Sequence, residues 1–465
     1  MLGLPARQIA LNGYKIYSYQ NTEKQSALEN AISSSNVDCD NAGIVIDNNL
    51  HAVVAFIGEG NFKILDAKRQ PGSCLKPIIV YGPALNEDII YPCTQLLDEK
   101  TTISNYTPKN GGDVYHGYIS ARDSLSKSIN IPAVKVLSYV GIDKAKAYAE
   151  DVGISFDEMD DSYTLALGGM TYGTNILDLA SAYSCFSCNG YYAKAKFVSF
   201  ITDKNDKIVY INKNEEKRVF KDDSAYLLTD MLKTCAQNGT AKKLSSLDID
   251  IASKTGTVGK SGSKENLDAW NVSYTKATTC AIWLGNLDNS PITYAGGNQP
   301  TEIVKTYFEK IKDTSTFTPP NSIIEKNIDL TELEENHRVI LANNFMPERY
   351  LKKELFSKFN LPSDVSNKFT TIEKPNFKTK VSNNKIEIEF DAKDYLTYKF
   401  SSFDKTIAEI SSKSGNQKIL IDLNSDKQTV EYEIFYTISP EINFKDELKF
   451  VKTSKQKIND KKWFI

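Results

Sequence analysis

The fold is decided around the stretch Arg69-Gln70-Pro71-Gly72-Ser73-Cys74-Leu75-Lys76-Pro77, where a serine stands at the change from an extended segment to a helix. A Pro-Gly pair breaks the preceding structure, and the mostly apolar run 74–85 is predicted to be helical. Residues three apart share a helix face, so Ser73 and Lys76 are expected to lie one above the other. This places a nucleophile beside a base at a helix N-terminus, whose dipole favours developing negative charge.

The spacing by itself is weak evidence for catalysis. Only Ser73 has a Pro-Gly turn before it and an apolar run after it, whereas the same Ser-x-x-Lys spacing recurs without them at Ser124/Lys127, Ser273/Lys276 and Ser402/Lys405. From this stretch alone, an ordinary capped helix remains an alternative to a catalytic site.

Composition and charge exclude several classes of function. The chain has 465 residues, 41% of them hydrophobic and 25% charged, as in globular proteins, and this length predicts about three domains. A net charge of -3 indicates neither a nucleic-acid partner nor a polybasic membrane patch. No signal peptide or membrane-spanning run is visible, since the opening residues MLGLPARQIALNG are too short and too mixed.

The histidines and cysteines bear on the kind of catalytic site. Three histidines are few for a Ser-His-Asp or Cys-His enzyme, which needs a positioned imidazole. The seven cysteines have no framework spacing, and Cys185-x-x-Cys188 lies in a helical pattern without a second pair or a nearby histidine, so no zinc site is expected. The expected base is therefore a lysine, with no metal and no cofactor.

Hydrophobic patterns predict a mixed chain around the Ser73 segment. Residues 87–120 are rich in loop signals, with an Asn-Gly-Gly-Asp cluster at 110–113. The other predicted elements are a strand at 14–19, a helix at 22–33, a hairpin of 42–47 with 52–57, a hairpin of 197–201 with 207–211, and helices at 121–128, 133–140, Thr174–Cys188 and 225–235.

The second half of the chain contains a predicted meander, followed by a change in composition near Pro319-Pro320. Strand-like runs at 249–257, 268–274 and 278–284 predict an antiparallel meander that a helix at 302–311 could cover. Beyond the Pro319-Pro320 pair only one of the 24 glycines occurs, Gly415. The predicted domains are a linker or remnant of a preceding region at 1–12, a main domain at 13–315, a linker with an irregular or helical segment at 316–376, and a β-sandwich-like accessory domain at 377–465.

Three separated segments carry the candidate chemistry: Ser73-Cys-Leu-Lys76, Ser128-Ile-Asn130 and Lys254-Thr-Gly-Thr257. With the flanking Asn130-Ile-Pro-Ala133, Asp268-Ala-Trp270 and Trp283-Leu-Gly285, they resemble the transpeptidase domain of class A (bifunctional) penicillin-binding proteins. The resemblance covers roughly residues 13–312. It implies an α/β (α+β) fold, an antiparallel sheet covered by helices on both sides, followed here by the smaller C-terminal β-rich domain.

The resemblance implies a serine-type D-Ala-D-Ala transpeptidase that cross-links peptidoglycan stem peptides. Ser73 would attack the carbonyl of the penultimate D-alanine, and Lys76 would accept its proton with an amine kept partly neutral by burial and by the charge of Lys254. Ser128 would relay the proton to the departing D-alanine. Asn130 would hold Lys76 and the substrate amide.

The family geometry also implies the sites that hold the substrate. The backbone N–H groups of Ser73 and Thr257 would form the oxyanion hole, and the terminal carboxylate would bind Lys254, Thr255 and Thr257. Gly256 is expected to let the strand approach the substrate closely. Cys74 is expected to be a buried packing residue and not a second nucleophile.

The resemblance further implies partners and a location. Besides stem peptides, β-lactam antibiotics would bind, and other cell-wall synthesis proteins are candidate partners. The family acts at the extracytoplasmic face of the bacterial cell membrane. Its class A members carry a membrane anchor and a glycosyltransferase domain, neither of which is visible in this sequence. We therefore expect Met1 to begin a piece of a longer protein, with a truncated relative as the alternative.

Three other functions remain open at this point. A D,D-carboxypeptidase or a serine β-lactamase would use the same nucleophile for hydrolysis. A class A β-lactamase would also need a glutamate to position water, for which Glu150 and Glu158 are weak candidates. A non-catalytic relative would bind cell-wall peptides or partner proteins, with the C-terminal domain as an interaction module.

Overall fold

The computed structural model describes residues 3–58, 63–260, 262–437 and 439–451, so the outer ends of the predicted terminal segments, 1–2 and 452–465, lie outside the described residues. The chain divides into two compact units: residues 1–326, 337–339 and 354–361 in the first, and 327–336, 340–353 and 362–465 in the second. The predicted domain boundaries at 315 and 376 stay predictions. Within the described ranges no helix has the length and apolar character needed to cross a membrane.

Helices and strands alternate along the first unit. In chain order they are α1 (Ala6–Leu11), β1 (Lys15–Ser18), α2 (Thr22–Ser33), β2 (Asp40–Asp47), β3 (Ala52–Gly58), α3 (Lys63–Asp66), α4 (Gly82–Asn86), β4 (Gln95–Asp98), β5 (Gly117–Ser120), α5 (Ala121–Ser126), α6 (Asn130–Val140), α7 (Ile142–Asp151), α8 (Ile176–Ser187), β6 (Tyr191–Tyr192), β7 (Val198–Thr202), β8 (Ile208–Ile211), β9 (Lys217–Arg218), α9 (Asp222–Asn238), β10 (Ala252–Gly259), β11 (Asn266–Tyr274), β12 (Thr278–Gly285) and α10 (Gln299–Ile311). The predicted hairpins, helices and meander are therefore present within a few residues of their expected ends.

A five-stranded antiparallel sheet, in the order β10-β11-β12-β2-β3, forms the centre of the first unit. Its strands alternate between two apolar cores: Ile44 and Ile46 of β2 lie in one and Val45 in the other. Helices α2 and α10 cover the face of Val45, and α8 covers the opposite face. The predicted antiparallel sheet with helices on both sides is confirmed.

The segment that carries Ser73 is helical, as predicted, but its pitch changes along the chain. A 3-10 turn over Gly72–Leu75 is followed by a π-helical turn over Pro77–Tyr81 and then by α4. Because Pro83 has no N–H to donate to the carbonyl four residues before it, it cannot continue the α-helical pattern. The N–H of Gly82 instead donates to Pro77 O, five residues back, which is the wider π-helical spacing.

The start of α8 differs from the predicted one by one residue. We expected Thr174 to cap this helix, but the cap is Asn175, whose Oδ1 accepts a hydrogen bond of 2.8 Å from the backbone N–H of Asp178. Both residue types are favoured at this position, so composition alone does not choose between them. The helix ends at the predicted Asn189-Gly190 stop, where Gly190 N–H donates to Cys185 O at 2.9 Å.

The second unit is rich in strands. The remaining elements of the chain are β13 (Ile323–Asp329), α11 (Leu330–Glu335), β14 (Leu351–Ser357), β15 (Lys378–Ser382), β16 (Lys385–Ala392), β17 (Leu396–Ser402), β18 (Lys405–Ile410), β19 (Gly415–Asp422), β20 (Lys427–Tyr436) and β21 (Ser439–Val451). Strands β15-β16-β19 form one antiparallel sheet and β18-β17-β20-β21 another. Both sheets contribute to one apolar core, for example Ile388 and Phe400. The predicted C-terminal β-rich region is confirmed over these strands.

A backbone contact in the first unit fixes the turn before Ser73. Gly168 has a φ of 80°, and a Cβ at this position would lie 2.2 Å from Gly72 O. No side chain fits between the two segments, so the loop at Gly168 packs directly on the turn that carries the serine.

We expect Gly168→Ala to destabilise the protein more than Gly112→Ala. Gly112 has a similar left-handed conformation, with φ 69° and ψ 13° against φ 80° and ψ 19° at Gly168, but a Cβ there would have no atom nearer than 3.9 Å, so the control matches the backbone strain without the clash. The difference in the free energy of unfolding should be about 1–3 kcal/mol, because only Gly168→Ala must displace Gly72. Urea denaturation of the two variants measures it, and equal losses would contradict the packing argument.

Candidate active site

A groove of about 580 Å³ in the first unit brings together most of the predicted site residues. Ser73 is half-buried in its wall, and its Oγ makes no hydrogen bond with the described residues, which leaves it open to the groove. The lining consists of Ser73, Asn110, Gly111, Val114, His116, Lys127, Ser128, Ile129, Asn130, Gly239, Thr240, Lys242, Lys243, Thr255, Thr257, Gly297 and Asn298.

Lys76 lies behind the groove and is fully buried. Its Nζ donates to Ser128 O at 2.7 Å, to Ile129 O at 3.0 Å and to Asn130 Oδ1 at 2.9 Å. The three acceptors belong to consecutive residues, so this short segment alone surrounds the amine. A longer contact of 3.5 Å joins the same Nζ to Ser128 Oγ.

Lys254 on β10 approaches Ser128 from the other side. It is also fully buried, and its Nζ donates to Ser128 Oγ at 2.9 Å and to Thr255 O at 2.9 Å. The Ser128 hydroxyl therefore lies between two lysine amines. Ser128 has a φ of 60°, an uncommon left-handed conformation for a residue with a side chain, and such strain is frequent at functional sites.

The electrostatics of the pair favour a neutral amine at Lys76. Burial holds the pKa of Lys76 well below its ordinary value, and the charge of Lys254 lowers it further. Burial also lowers the pKa of Lys254. A partly neutral Lys76 is the form that can accept a proton from a serine hydroxyl.

Cys74 follows Ser73 in sequence but has a different environment. Its side chain is fully buried against Lys254 O, and burial raises the pKa of its thiol to about 12. The thiolate is the reactive form of cysteine, so this thiol is inert at neutral pH. The environment agrees with the packing role expected for it.

Strand β10 forms one wall of the site. Alternate side chains of a strand point to opposite faces, and Thr255 and Thr257 both line the groove. Thr255 Oγ1 donates to Thr240 Oγ1 at 2.6 Å, and Thr257 Oγ1 accepts from the backbone N–H of Gly296 at 3.0 Å. Thr240 and Gly296 were not singled out from the sequence, since no motif or periodicity marks them.

Gly256 permits a close contact between backbones. A Cβ on this residue would lie 2.3 Å from Pro71 O and 3.0 Å from Cys74 Sγ, so the glycine lets β10 pack against the turn that carries Ser73. This reason differs from the closeness to substrate expected from the sequence, which stays a prediction. The contact brings the peptide of Thr257 to Gly72, whose own Cβ position would lie 3.2 Å from Thr257 N.

The charged side chains in the described lining of the groove are lysines. Lys127, Lys242 and Lys243 are exposed in its lining, and the described lining contains no aspartate or glutamate. Neither Glu150 nor Glu158, the residues considered for activating water, belongs to that lining. The groove therefore offers cationic side chains to an anionic ligand.

Comparison with known proteins agrees with this arrangement. The family model "Penicillin binding protein transpeptidase domain" matches residues 42–309, more than half of the chain. Penicillin-binding protein 1F of Bacillus subtilis (strain 168) is 34% identical over 297 residues, 62% of this chain and 41% of that protein. Penicillin-binding protein 1A/1B of the same organism is 28% identical over 450 residues, 90% of this chain and 48% of that protein. The chain thus spans less than half the length of both relatives.

The fold is also similar to that of solved structures. The PonA1 protein from Mycobacterium tuberculosis, solved in complex with penicillin V, matches with a TM-score of 0.61 and 23% identity. The match covers 68% of this chain and 91% of that one. It confirms the predicted transpeptidase-like fold.

We expect Lys254→Met to shift the pH dependence of covalent labelling at Ser73. The variant keeps a long side chain but removes the charge that lowers the pKa of Lys76. That pKa should rise, so labelling by a penicillin should slow about tenfold or more at neutral pH, and the rising limb of the pH–rate profile should move to higher pH.

The matched control is Lys310→Met, which removes an exposed lysine from the last turn of α10. Rates are measured from the time course of labelling across the pH range. A Lys254→Met protein with the wild-type profile and only a weaker affinity would contradict the coupling between the two lysines.

Proposed function

Because this chain belongs to the penicillin-binding protein transpeptidase family, we propose that it is a D,D-transpeptidase that cross-links peptidoglycan stem peptides through an acyl-enzyme at Ser73. Family membership confirms the resemblance inferred from the motifs. The observation that carries the proposal is the buried Lys76–Ser128–Lys254 arrangement at a groove whose lining contains both Ser128 and the unbonded hydroxyl of Ser73. A serine becomes a strong nucleophile when a neighbouring group accepts its proton.

In the first half-reaction Ser73 Oγ attacks the carbonyl carbon of the penultimate D-alanine. The Oγ–H proton goes to the neutral amine of Lys76, and a C–O bond forms. The C–N bond to the terminal D-alanine then breaks. The Ser128 hydroxyl, in contact with both amines, passes a proton to the departing nitrogen, and D-alanine leaves.

The oxyanion that forms on the substrate carbonyl needs donors in place before the reaction. We assign this role to the backbone N–H groups of Ser73 and Thr257. Support comes from the close approach of the Thr257 peptide to the Gly72–Ser73 turn, which Gly256 and Gly72 permit. Fixed backbone donors stabilise the developing charge without reorganisation.

The terminal carboxylate of the donor peptide is assigned to the β10 wall. Thr255 and Thr257 present hydroxyls there, and Lys254 supplies charge from behind. The exposed lysines of the groove suit a substrate with several carboxylates, which a stem peptide has. Asn130, at the start of α6, is assigned to the substrate amide as well as to Lys76.

In the second half-reaction an amine of a neighbouring stem peptide attacks the acyl-enzyme. Transfer to an amine is preferred over hydrolysis here because the described lining has no carboxylate to activate water, as a class A β-lactamase requires. The substrate lies outside the cell, so the proposed location is the outer face of the bacterial cell membrane. β-Lactams and other cell-wall synthesis proteins are the further proposed partners.

We expect a labelled penicillin to form a long-lived covalent adduct that Ser73→Ala abolishes. The matched control is Ser124→Ala, since Ser124 has the same spacing to a lysine but is buried and bonded to the Tyr81 hydroxyl at 2.9 Å. The control should retain the adduct. Rapid loss of the label would favour a β-lactamase. A wild-type protein that forms no adduct would contradict the proposal that the protein is an enzyme.

A second assay separates transfer from hydrolysis. A stem peptide ending in D-Ala-D-Ala is supplied with and without an acceptor amine, and the products are identified by mass. We expect a new amide bond with the acceptor. Release of D-alanine with a free carboxylate as the sole product would instead indicate a D,D-carboxypeptidase.

A further inference from the structure

The start of α6 is a place where two backbone donors need an acceptor from elsewhere. The helix begins at Asn130, and the residue before it, Ile129, has no polar side chain to cap it. Pro132 has no N–H, so the free donors of the first turn are those of Asn130 and Ile131. The N–H of Ile129 is already bonded to Ser124 O at 2.9 Å.

Both free donors reach one atom of a distant loop residue. The N–H groups of Asn130 and Ile131 donate to Asn110 Oδ1, each at 3.1 Å. Asn110 therefore caps α6 from twenty residues earlier in the chain. Its side chain is almost fully buried and lies at the groove.

A buried carboxylate sets the orientation of this cap. Asn110 Nδ2 donates to Asp98 Oδ1 at 2.7 Å and to Val114 O at 2.9 Å. Asp98 is fully buried, and its Oδ2 accepts from the backbone N–H of His116 at 2.9 Å and from His116 Nδ1 at 2.8 Å. Because an ionised carboxylate only accepts, the amide must turn Nδ2 toward Asp98 and Oδ1 toward the helix.

The capped start of α6 is continuous with the segment that holds the proposed base, and Asn130 belongs to both. The three acceptors of Lys76 Nζ come from residues 128–130, immediately before and at the first position of α6. A shift of the helix start would move all three together. Displacements near 1 Å at a catalytic group can reduce a rate by about a hundredfold.

We propose that Asn110 is a positioning residue for the contact between Asn130 and Lys76, and that Asp98 acts with it by fixing the orientation of its amide. The proposal rests on the proposed function, since it concerns how the proton acceptor of Ser73 is held. It assigns a role to a loop that, among the described residues, makes no hydrogen bond to Ser73 or Lys76.

The test exchanges the two side chains. Asn110→Asp keeps an oxygen for the helix donors but sets a carboxylate against that of Asp98, so the pair repels. The double variant Asp98→Asn with Asn110→Asp restores the contact, because the new amide at position 98 donates to the new carboxylate at position 110. The rate constant for acylation by a labelled penicillin, taken from the time course, does not depend on the fraction of folded protein.

We expect Asn110→Asp to lower this rate constant by about tenfold or more and the double variant to recover to within about threefold of the wild type. The matched control is Asp329→Asn, which alters a second fully buried aspartate, one that caps α11 in the second unit. It should lower the melting temperature and leave the acylation rate unchanged. A purely structural role for Asn110 would lower the melting temperature of the single variant and leave this rate constant unchanged.

The inference is overturned if Asn110→Asp acylates at the wild-type rate or if the double variant is no faster than the single one. Should Asn110→Asp fail to fold, Asp98→Asn carries the same test, since it leaves the Asn110 amide free to turn its donor toward the helix. Its acylation at the wild-type rate would overturn the inference. A wild-type protein without an adduct would overturn the proposed function together with it, so the two failures are distinguishable.

Discussion

The two amines behind Ser73, those of Lys76 and Lys254, are buried without an acidic partner in the described part of the chain. A buried ammonium group is unfavourable unless oxygen atoms surround it or it loses its proton. Oxygen atoms of residues 128–130 contact both amines, and burial lowers the pKa of each, which makes loss of a proton easier. The helix of Ser73, the start of α6 and strand β10 must therefore meet at one point.

The contact between the Ser73 turn and its neighbours depends on backbone segments that pack directly against each other, with no side chain between them. The turn before Ser73 packs against β10 through Gly256 and against the Gly168 loop, and neither contact leaves room for a Cβ. Close packing of this kind transmits displacement instead of absorbing it. The relative positions of Ser73, the two lysine amines and the Ser128 hydroxyl are thus set by the scaffold and not by flexible side chains alone.

The parts that could be predicted from the sequence are those that depend on neighbours in the chain. The Ser73 helix, the β2–β3 hairpin and the β10–β12 meander follow from local periodicity and turn residues. The positions of Lys76 and Lys254 in the sequence indicate the family. The hydrogen-bond distances of their amines cannot be derived from those positions. The wide helical turn after Ser73 comes from prolines whose effect depends on the surrounding packing.

The supporting residues of the site were beyond such reasoning. The Asn-Gly-Gly composition at 110–112 indicates a turn and nothing more, and Asp98 resembles any strand-end aspartate. Their roles arise from contacts with α6 and His116 that close only in the folded chain. A residue such as Asn110 is recognisable once the helix it caps is seen to lack a cap of its own.

The burial of Cys74 has a consequence for the chemical durability of the enzyme. Among the described residues no cysteine forms a disulfide, six of the seven are buried, and the partly exposed Cys188 has a thiol pKa raised to about 11. Oxidants and alkylating agents attack thiolates that solvent can reach. At the location proposed for this protein, where disulfides form readily, the buried Cys74 thiol next to Ser73 is expected to stay reduced because its burial excludes water and oxidants.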